Sequence, residues 1–332
     1  MKLVYCFLLL IGAHLMRAYA QDATPPLFEP HTWLSMELIT DMPALQADRG
    51  DEVMYHPARL RYWNGSDTVE LPVEIRARGN ARRDPRRCEF PPLKLKFEDE
   101  VIEGTLFAQQ DELKMVCHCQ EDIYVMREYL LYQVYDVLSD YCLKVRPLQV
   151  TYRDETDSLP PQTRFAFFLE HQDVAEDRMG GEMLEEVNVM PKDVQEDNLI
   201  LAALFNLMIG NTDWDIPLEK NIRILQVDGE EAPRIIPYDF DWSAAVDASY
   251  AQIGSDFERR VYKGPCVDEM RYRRWVSHIL IRRDIIEQLY QDFEYWPSRR
   301  DRREALEYLS ESFDLLEQNG GLPYFRQRCE DR

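Results

Sequence analysis

One segment limits what this chain can become more than any other: Phe205 to Trp242, FNLMIGNTDWDIPLEKNIRILQVDGEEAPRIIPYDFDW. It opens as the end of an apolar helix that breaks at Gly210, and then sets Asn211, Asp213 and Asp215 on a loop. Asn221 closes the loop and opens a strand, Ile222 to Val227. The polar turn Asp228-Gly229-Glu230-Glu231 leads into a second strand, Arg234 to Tyr238, which ends in Asp239-Phe240-Asp241-Trp242. A hairpin brings its outer ends together, so Asn221 and the loop before it are expected beside Asp239 and Asp241. Carboxylates packed at that density repel unless a cation or a proton sits among them. Hard oxygen donors of this kind suit magnesium, manganese or calcium. A calcium-stabilised or solvated acidic loop satisfies the same pattern.

A second segment has the opposite charge. RARGNARRDPRRCEFPPLKLKFE places Arg76, Arg78, Arg82, Arg83, Arg86 and Arg87 around Gly79-Asn80 in a chain whose net charge is −22. A glycine-centred turn offers backbone N–H groups to an anion, and arginines add bidentate donors. In the strand that follows, Leu93, Leu95 and Phe97 share one face, and Lys94 and Lys96 the other. Before it, Leu60–Trp63, Asn64-Gly65 and Thr68–Arg78 read as a hairpin. A solvated basic edge paired to surface acids is the plain alternative. A helix is predicted over Glu121–Leu138, with Ile123, Met126, Leu130, Val134 and Val137 on its core side, and Glu128 lies on that helix.

GNTDW, the later Asn221, PYDFDW, and RGNxR followed by P-x-K-x-K-F together resemble the motifs of the CotH-type atypical kinase family, over roughly Val69 to Cys266. The resemblance implies an α+β, two-lobed, atypical protein-kinase-like fold with a sheet-rich N-lobe and a helical C-lobe. It implies transfer of the γ-phosphoryl group of ATP, or another nucleotide, to a hydroxyl on a protein or other surface acceptor, assisted by Mg or Mn. It would make Asp213 the catalytic Asp, with Asp215 a rival on the same loop. Asn221, Asp239 and Asp241 would be metal ligands, and Arg78, Asn80 and Lys94 would contact the nucleotide phosphates. Kinases pair a helix Glu with the strand lysine, which points to Glu128, although Arg127 is an equal surface partner for it. Two other classes stay open: a catalytically inactive kinase-like binding module, and a calcium-stabilised structural protein of the cell surface.

Residues 1–20 read as a secretory signal: Lys2, the short apolar run Val4–Met16, and Ala18-Tyr19-Ala20 as a cleavage site. Export to the periplasm, cell surface or extracellular space is therefore expected. The remaining six cysteines then suggest disulfides of undetermined pairing. Cys117-His118-Cys119 lacks the second element a zinc site needs. The acidic balance argues against nucleic acid as a partner, and no stretch after the signal is apolar enough to span a membrane. With 45% hydrophobic and 11% aromatic residues the chain can fill a large core. We expect a lead-in over 21–33, an N-lobe over 34–172 and a C-lobe over 173–332. Leu143–Tyr152 and Arg164–Glu170 form a further hairpin, Asp173–Glu186 is a mobile charged stretch, and Gln195–Gly210 is a buried helix. The segment after Trp242 is a long loop whose Arg259, Arg260 and Lys263 face the acceptor. Helices over 268–295 and 298–318 close the fold, the last capped by Gly320-Gly321.

Overall fold

The structure, a computed structural model, describes residues 26–29, 32–79, 81–185, 187–251 and 260–329. The expected leader, most of the lead-in and Asn80 lie outside the described residues. The chain is mixed α and β, with a sheet-rich part and a helical part. Seven strands make the first: β1 (Leu34–Thr40), β2 (His56–Asn64), β3 (Asp67–Ala77), β4 (Leu93–Lys96), β5 (Glu112–Cys117), β6 (Val145–Asp154) and β7 (Gln162–Leu169). They do not form the open sheet a kinase lobe would have. In the order β1-β2-β3-β4-β5-β7-β6 they close into a barrel. The closing pair is parallel, with Leu34 opposite Leu148 and Met36 opposite Val150, and the other pairings are antiparallel.

The period-two pattern fills the barrel. Leu71, Val73 and Ile75 from β3 join Leu93 and Leu95 from β4, Met115 from β5 and Phe168 from β7 in one apolar core. Leu27 and Phe28 are buried in the same core, so the lead-in is packed structure where it is described. The Asn64-Gly65 turn is as expected: Asn64 pairs with Asp67, and Gly65 takes φ +62°, a left-handed value glycine adopts without a Cβ penalty. Two short helices, α1 (Met42–Ala47) and α2 (Asp99–Ile102), interrupt the barrel strands.

Helix α3 (Asp122–Leu138) is buried on almost every side. Its apolar residues belong to a second core, shared with α5 (Glu196–Ile209) and the C-terminal helices. Within the stretch expected to be mobile, 173–186, the described residues instead form α4 (Gln172–Met179) and strand β8 (Gly181–Leu184), and Glu186 lies outside the described residues. β8 pairs with β9 (Ile222–Val227), which pairs with β10 (Arg234–Pro237). Ala175 and Met183 supply the buried contacts there, and their charged neighbours masked them in the sequence. The two closing helices are three, α6 (Glu269–Leu280), α7 (Arg283–Asp292) and α8 (Arg299–Glu317). Gly320 and Gly321 form a 3₁₀ turn that continues into α9 (Leu322–Cys329) rather than ending the chain's helical part. Among the described residues no helix is long and apolar enough to cross a membrane.

Two disulfides staple the ends of this arrangement. Cys88–Cys119 ties the arginine-rich loop to the end of β5, and Cys266–Cys329 ties the approach to α6 to the end of α9. Cys117 and Cys142 are buried thiols. With Cys119 in a disulfide, the Cys117-His118-Cys119 triplet is structural, and His118 stacks on Phe90 at 4.9 Å. Cys266 and Cys329 close a loop spanning 63 residues. Replacing both by serine is expected to lower the unfolding free energy by roughly 2–4 kcal/mol, read as a lower denaturant midpoint with a slope that does not fall, since the freed unfolded chain exposes more surface. An unchanged midpoint would show that this link contributes nothing to stability.

Candidate functional site

The loop after α5 is built by side-chain amides. The helix is apolar all round, so it is buried, and it stops where Gly210 turns left-handed at φ +63°. Asn206 Nδ2 donates to Ala202 O (2.8 Å), and Asn211 Nδ2 to Asn206 Oδ1 (2.9 Å). The Asp213 N–H donates to Asn211 Oδ1 (2.9 Å). Asn221 then reaches back, its Nδ2 donating to Asp213 O (2.7 Å) and Asp213 Oδ2 (2.9 Å). The Lys220 ammonium pairs with the other Asp213 oxygen. Asp215 is occupied differently: its backbone pairs with Lys220, and its Oδ1 accepts the Leu218 N–H at 3.0 Å. It shapes the turn, and Asp213 is the carboxylate presented. Lys263, expected to face an acceptor, instead donates to Thr212 O (2.8 Å) and Trp214 O (2.9 Å) and clamps the loop from behind. Arg260 lies over the Tyr308 ring, and Arg259 is outside the described residues.

The hairpin brings its ends together. The Tyr238 N–H donates to Asn221 O at 3.1 Å. Asn221 and Asp239 both take left-handed backbone, φ +53° and +60°, a conformation more common for Asn and Asp than for bulkier residues. The Asp239 N–H donates to Tyr132 Oη (2.8 Å) on α3. Phe240 is buried against Tyr132 (4.7 Å between ring centroids) and Phe205 (5.3 Å). That anchor sets Asp239 and Asp241 on either side of it.

At the centre is the closing arginine of the RGNxR pattern, to which the resemblance gave no role. Arg82 is nine-tenths buried and meets three carboxylates: Asp239 Oδ1 at 2.9 Å, Asp241 Oδ2 at 3.3 Å and Glu128 Oε2 at 3.6 Å. Glu128 therefore pairs with Arg82 and not with Lys94, which is paired to Glu112 on the neighbouring strand. The signal was present in the sequence. A glutamate on a helix this rich in apolar and aromatic residues calls for a counter-ion, and six arginines stand in the segment before it. Burial pushes Glu128 well above the usual carboxylate range against the pull of Arg82, and it pushes Asp241 up to about 7, with Asp239 adding repulsion.

A second group of cations stands beside these acids. Burial, with repulsion from Arg78, Arg223 and Lys94, lowers Lys114 to about 8, and Asp239 opposes the shift. Arg78 is likewise lowered by burial and held up by Asp239. Arg223 lies over the Tyr238 ring at 4.9 Å. Among the described residues, the side chains of Arg78, Lys114 and Arg223 have no ion pair and no hydrogen bond. Lys114 sits opposite Lys94 across β4 and β5, so one strand over carries the lysine that looks toward Asp239. Among the described residues no three His, Cys, Asp or Glu side chains converge as a metal site. Arg82, held between Asp239 and Asp241, already supplies their positive charge. The second oxygen of Asp239 and the amide oxygen of Asn221 carry no hydrogen bond among the described residues, and both are donors of the type magnesium or manganese takes.

No family model matches the chain, and no curated protein matches it. Among solved structures it is similar to the crystal structure of the Helicobacter pylori proinflammatory kinase CtkA, at 10% identity and a TM-score of 0.43, over 70% of this chain and 96% of that one.

Two measurements follow from the central cluster. Arg82→Met leaves the acids without their cation, and removing one partner of a buried pair costs roughly 3–5 kcal/mol; chemical denaturation at neutral pH should show that loss. Asp241 titrates higher folded than its ordinary 3.8, so the folded state holds its proton longer, and this residue's contribution to stability falls as pH rises from about 4 to about 7. Asp241→Asn should flatten the stability–pH curve in that window, and an unchanged curve would place the titration elsewhere.

Proposed function

We propose that this cleft binds the phosphates of a nucleotide and transfers its terminal phosphoryl group to a hydroxyl on a protein or other surface acceptor, as a CotH-like kinase of the exported compartment. One observation carries the reading: among the described residues Arg78, Lys114 and Arg223 gather next to Asp239 with no ion pair or side-chain hydrogen bond of their own. Like charges brought together and partly desolvated cost free energy, and a polyphosphate offsets that cost. Asp213, fixed by Asn221 and Lys220, is a carboxylate placed to accept the proton of an attacking hydroxyl. Asn221 and Asp239 supply the oxygen donors for Mg or Mn, and such an ion neutralises charge on the transferring phosphate. Lys114 takes the role the motif gave to Lys94. Arg82 and Glu128 position Asp239 and Asp241. Two disulfides fit an oxidising, exported setting.

Arg82 favours one second reading. A buried guanidinium that already satisfies Asp239 and Asp241 lowers their affinity for a metal, so the same cleft also fits a kinase-like module that binds nucleotide without transfer. Incubating the purified protein with labelled ATP and Mg²⁺ or Mn²⁺, alongside thermal stabilisation by the same mixture, separates the two. Label in the parent but not in Asp213→Asn, with nucleotide stabilisation retained by that variant, supports transfer. Stabilisation without label supports the binding module, and stabilisation by Ca²⁺ alone would overturn both.

The lysine assignment gives a sharper test. Lys114→Gln should weaken nucleotide binding tenfold or more, and Lys94→Gln should leave it nearly unchanged because that lysine is already paired with Glu112. The opposite order would restore the motif assignment. Because Lys114 loses its proton around pH 8, affinity for ATP in the parent should fall as pH rises from 7 to 9, and Lys114→Gln should lack that slope.

A further inference from the structure

The face of α3 next to the cleft-facing one carries a different kind of site. Glu128 and Tyr132 lie one turn apart and point at Arg82 and Asp239. Tyr129 and Gln133 follow each by one residue and line a separate cavity of about 760 Å³, bounded by the entry to β1 and by α7 with the turn after it. Its walls are aromatic. Trp33 meets Phe293 (6.1 Å between centroids), Tyr295 (3.7 Å) and Phe165 (4.3 Å), and Tyr129 meets Phe293 at 6.0 Å. Its rim is acidic: Asp284, Asp292 and Glu294 line it, no lysine or arginine does, and none of the three has an ion pair among the described residues. Inside, the amide of Gln133 lines the cavity from a residue only 7% exposed, and it has no hydrogen-bond partner among the described residues.

Each of these features favours one kind of occupant. The Gln133 amide, open to the cavity, makes no hydrogen bond within the described chain and is free to meet a peptide group. The three exposed carboxylates gather negative charge at the opening. Aromatic faces carry a negative quadrupole that attracts a cation, most strongly when both are partly out of water. The occupant that suits all three has positive charge, apolar surface and a backbone or side-chain group to meet an amide.

We propose that this cavity is a docking site for an extended peptide segment in which arginine or lysine alternates with apolar residues. Its basic groups lie against the carboxylate rim and the aromatic faces, an apolar side chain enters between Trp33 and Phe293, and its backbone pairs with Gln133. Were the cleft a phosphotransferase, this face would hold the flank of a protein acceptor. The binding itself involves no nucleotide, so it stands or falls separately from transfer.

A short capped peptide alternating arginine and leucine is the probe, with its glutamate–leucine counterpart and tetramethylammonium as controls, titrated by calorimetry into the full chain. The arginine peptide should bind and the glutamate peptide should not. Asp284→Asn, Asp292→Asn and Glu294→Gln together, all on the exposed rim, should weaken it tenfold or more with unchanged circular dichroism. Neutralising three exposed acids of the barrel, Glu98→Gln, Asp99→Asn and Glu100→Gln, should not, which separates the site from general attraction to an acidic protein. Gln133→Leu should weaken it about threefold to tenfold. Failure of the arginine peptide to bind, equal loss in both triple variants, no effect of Gln133→Leu, or binding of tetramethylammonium without the peptide would each overturn the proposal.

Discussion

The site rests on one buried guanidinium. Arg82 lies where three carboxylates from two distant elements meet: Glu128 from α3, and Asp239 and Asp241 from the end of the β9–β10 hairpin. Without it the buried Glu128 and Asp241 and the part-exposed Asp239 would repel one another, and the arginine loop, α3 and the hairpin would have no common register. Arg82 comes from the barrel side and its partners from the helical side, so the same contact that neutralises the acids also joins the two cores. The Cys88–Cys119 disulfide holds the arginine loop to β5 from its other end. The loop is thereby fixed at both ends, and Arg82 loses little conformational freedom in meeting its partners.

Around this centre the chain sorts its charges by function of place. Cations with acidic neighbours, such as Lys94 with Glu112 and Arg178 with Glu170, are structural. Among the described residues, Arg78, Lys114 and Arg223 have no such partner and stand close together beside Asp239. In a protein with net charge −22, three cations placed together with no ion pair among the described residues are what the proposed function rests on.

Local patterns were legible and their partners were not. The Asn64-Gly65 hairpin, the β6–β7 hairpin, α3, α5 and the β9–β10 hairpin all follow from period, turn residues and breakers within a dozen positions. Those elements place Asn221 next to Tyr238 and Asp239 as the hairpin geometry requires. What the sequence hides is contact between elements far apart. Lys94 and Lys114 alternate with apolar residues in the same way, and only the strand register and the position of Glu112 tell which one is free. Glu128 announces the need for a counter-ion without naming it. β8 was hidden because a strand of four residues with one buried side chain has no period to read. Barrel closure was hidden for the same reason at larger scale, since a parallel pair between the first and sixth strands leaves no mark on either.

That closure has a consequence for how the molecule is made. Leu34 through Thr40 pair on one side with β2, which follows closely, and on the other with Leu148 through Asp154. As a chain emerges from its amino end, β1 and β2 can meet early, but the outer edge of β1 stays bare until β6 has arrived and β7 has joined it to β5. An exposed strand edge is a template for pairing with other chains. The interval between making β1 and making β6 is therefore the period of greatest hazard for this protein, and closing the barrel ends it. Fragments that stop before β6 would keep a sticky edge, and material that aggregates during synthesis should be enriched in them.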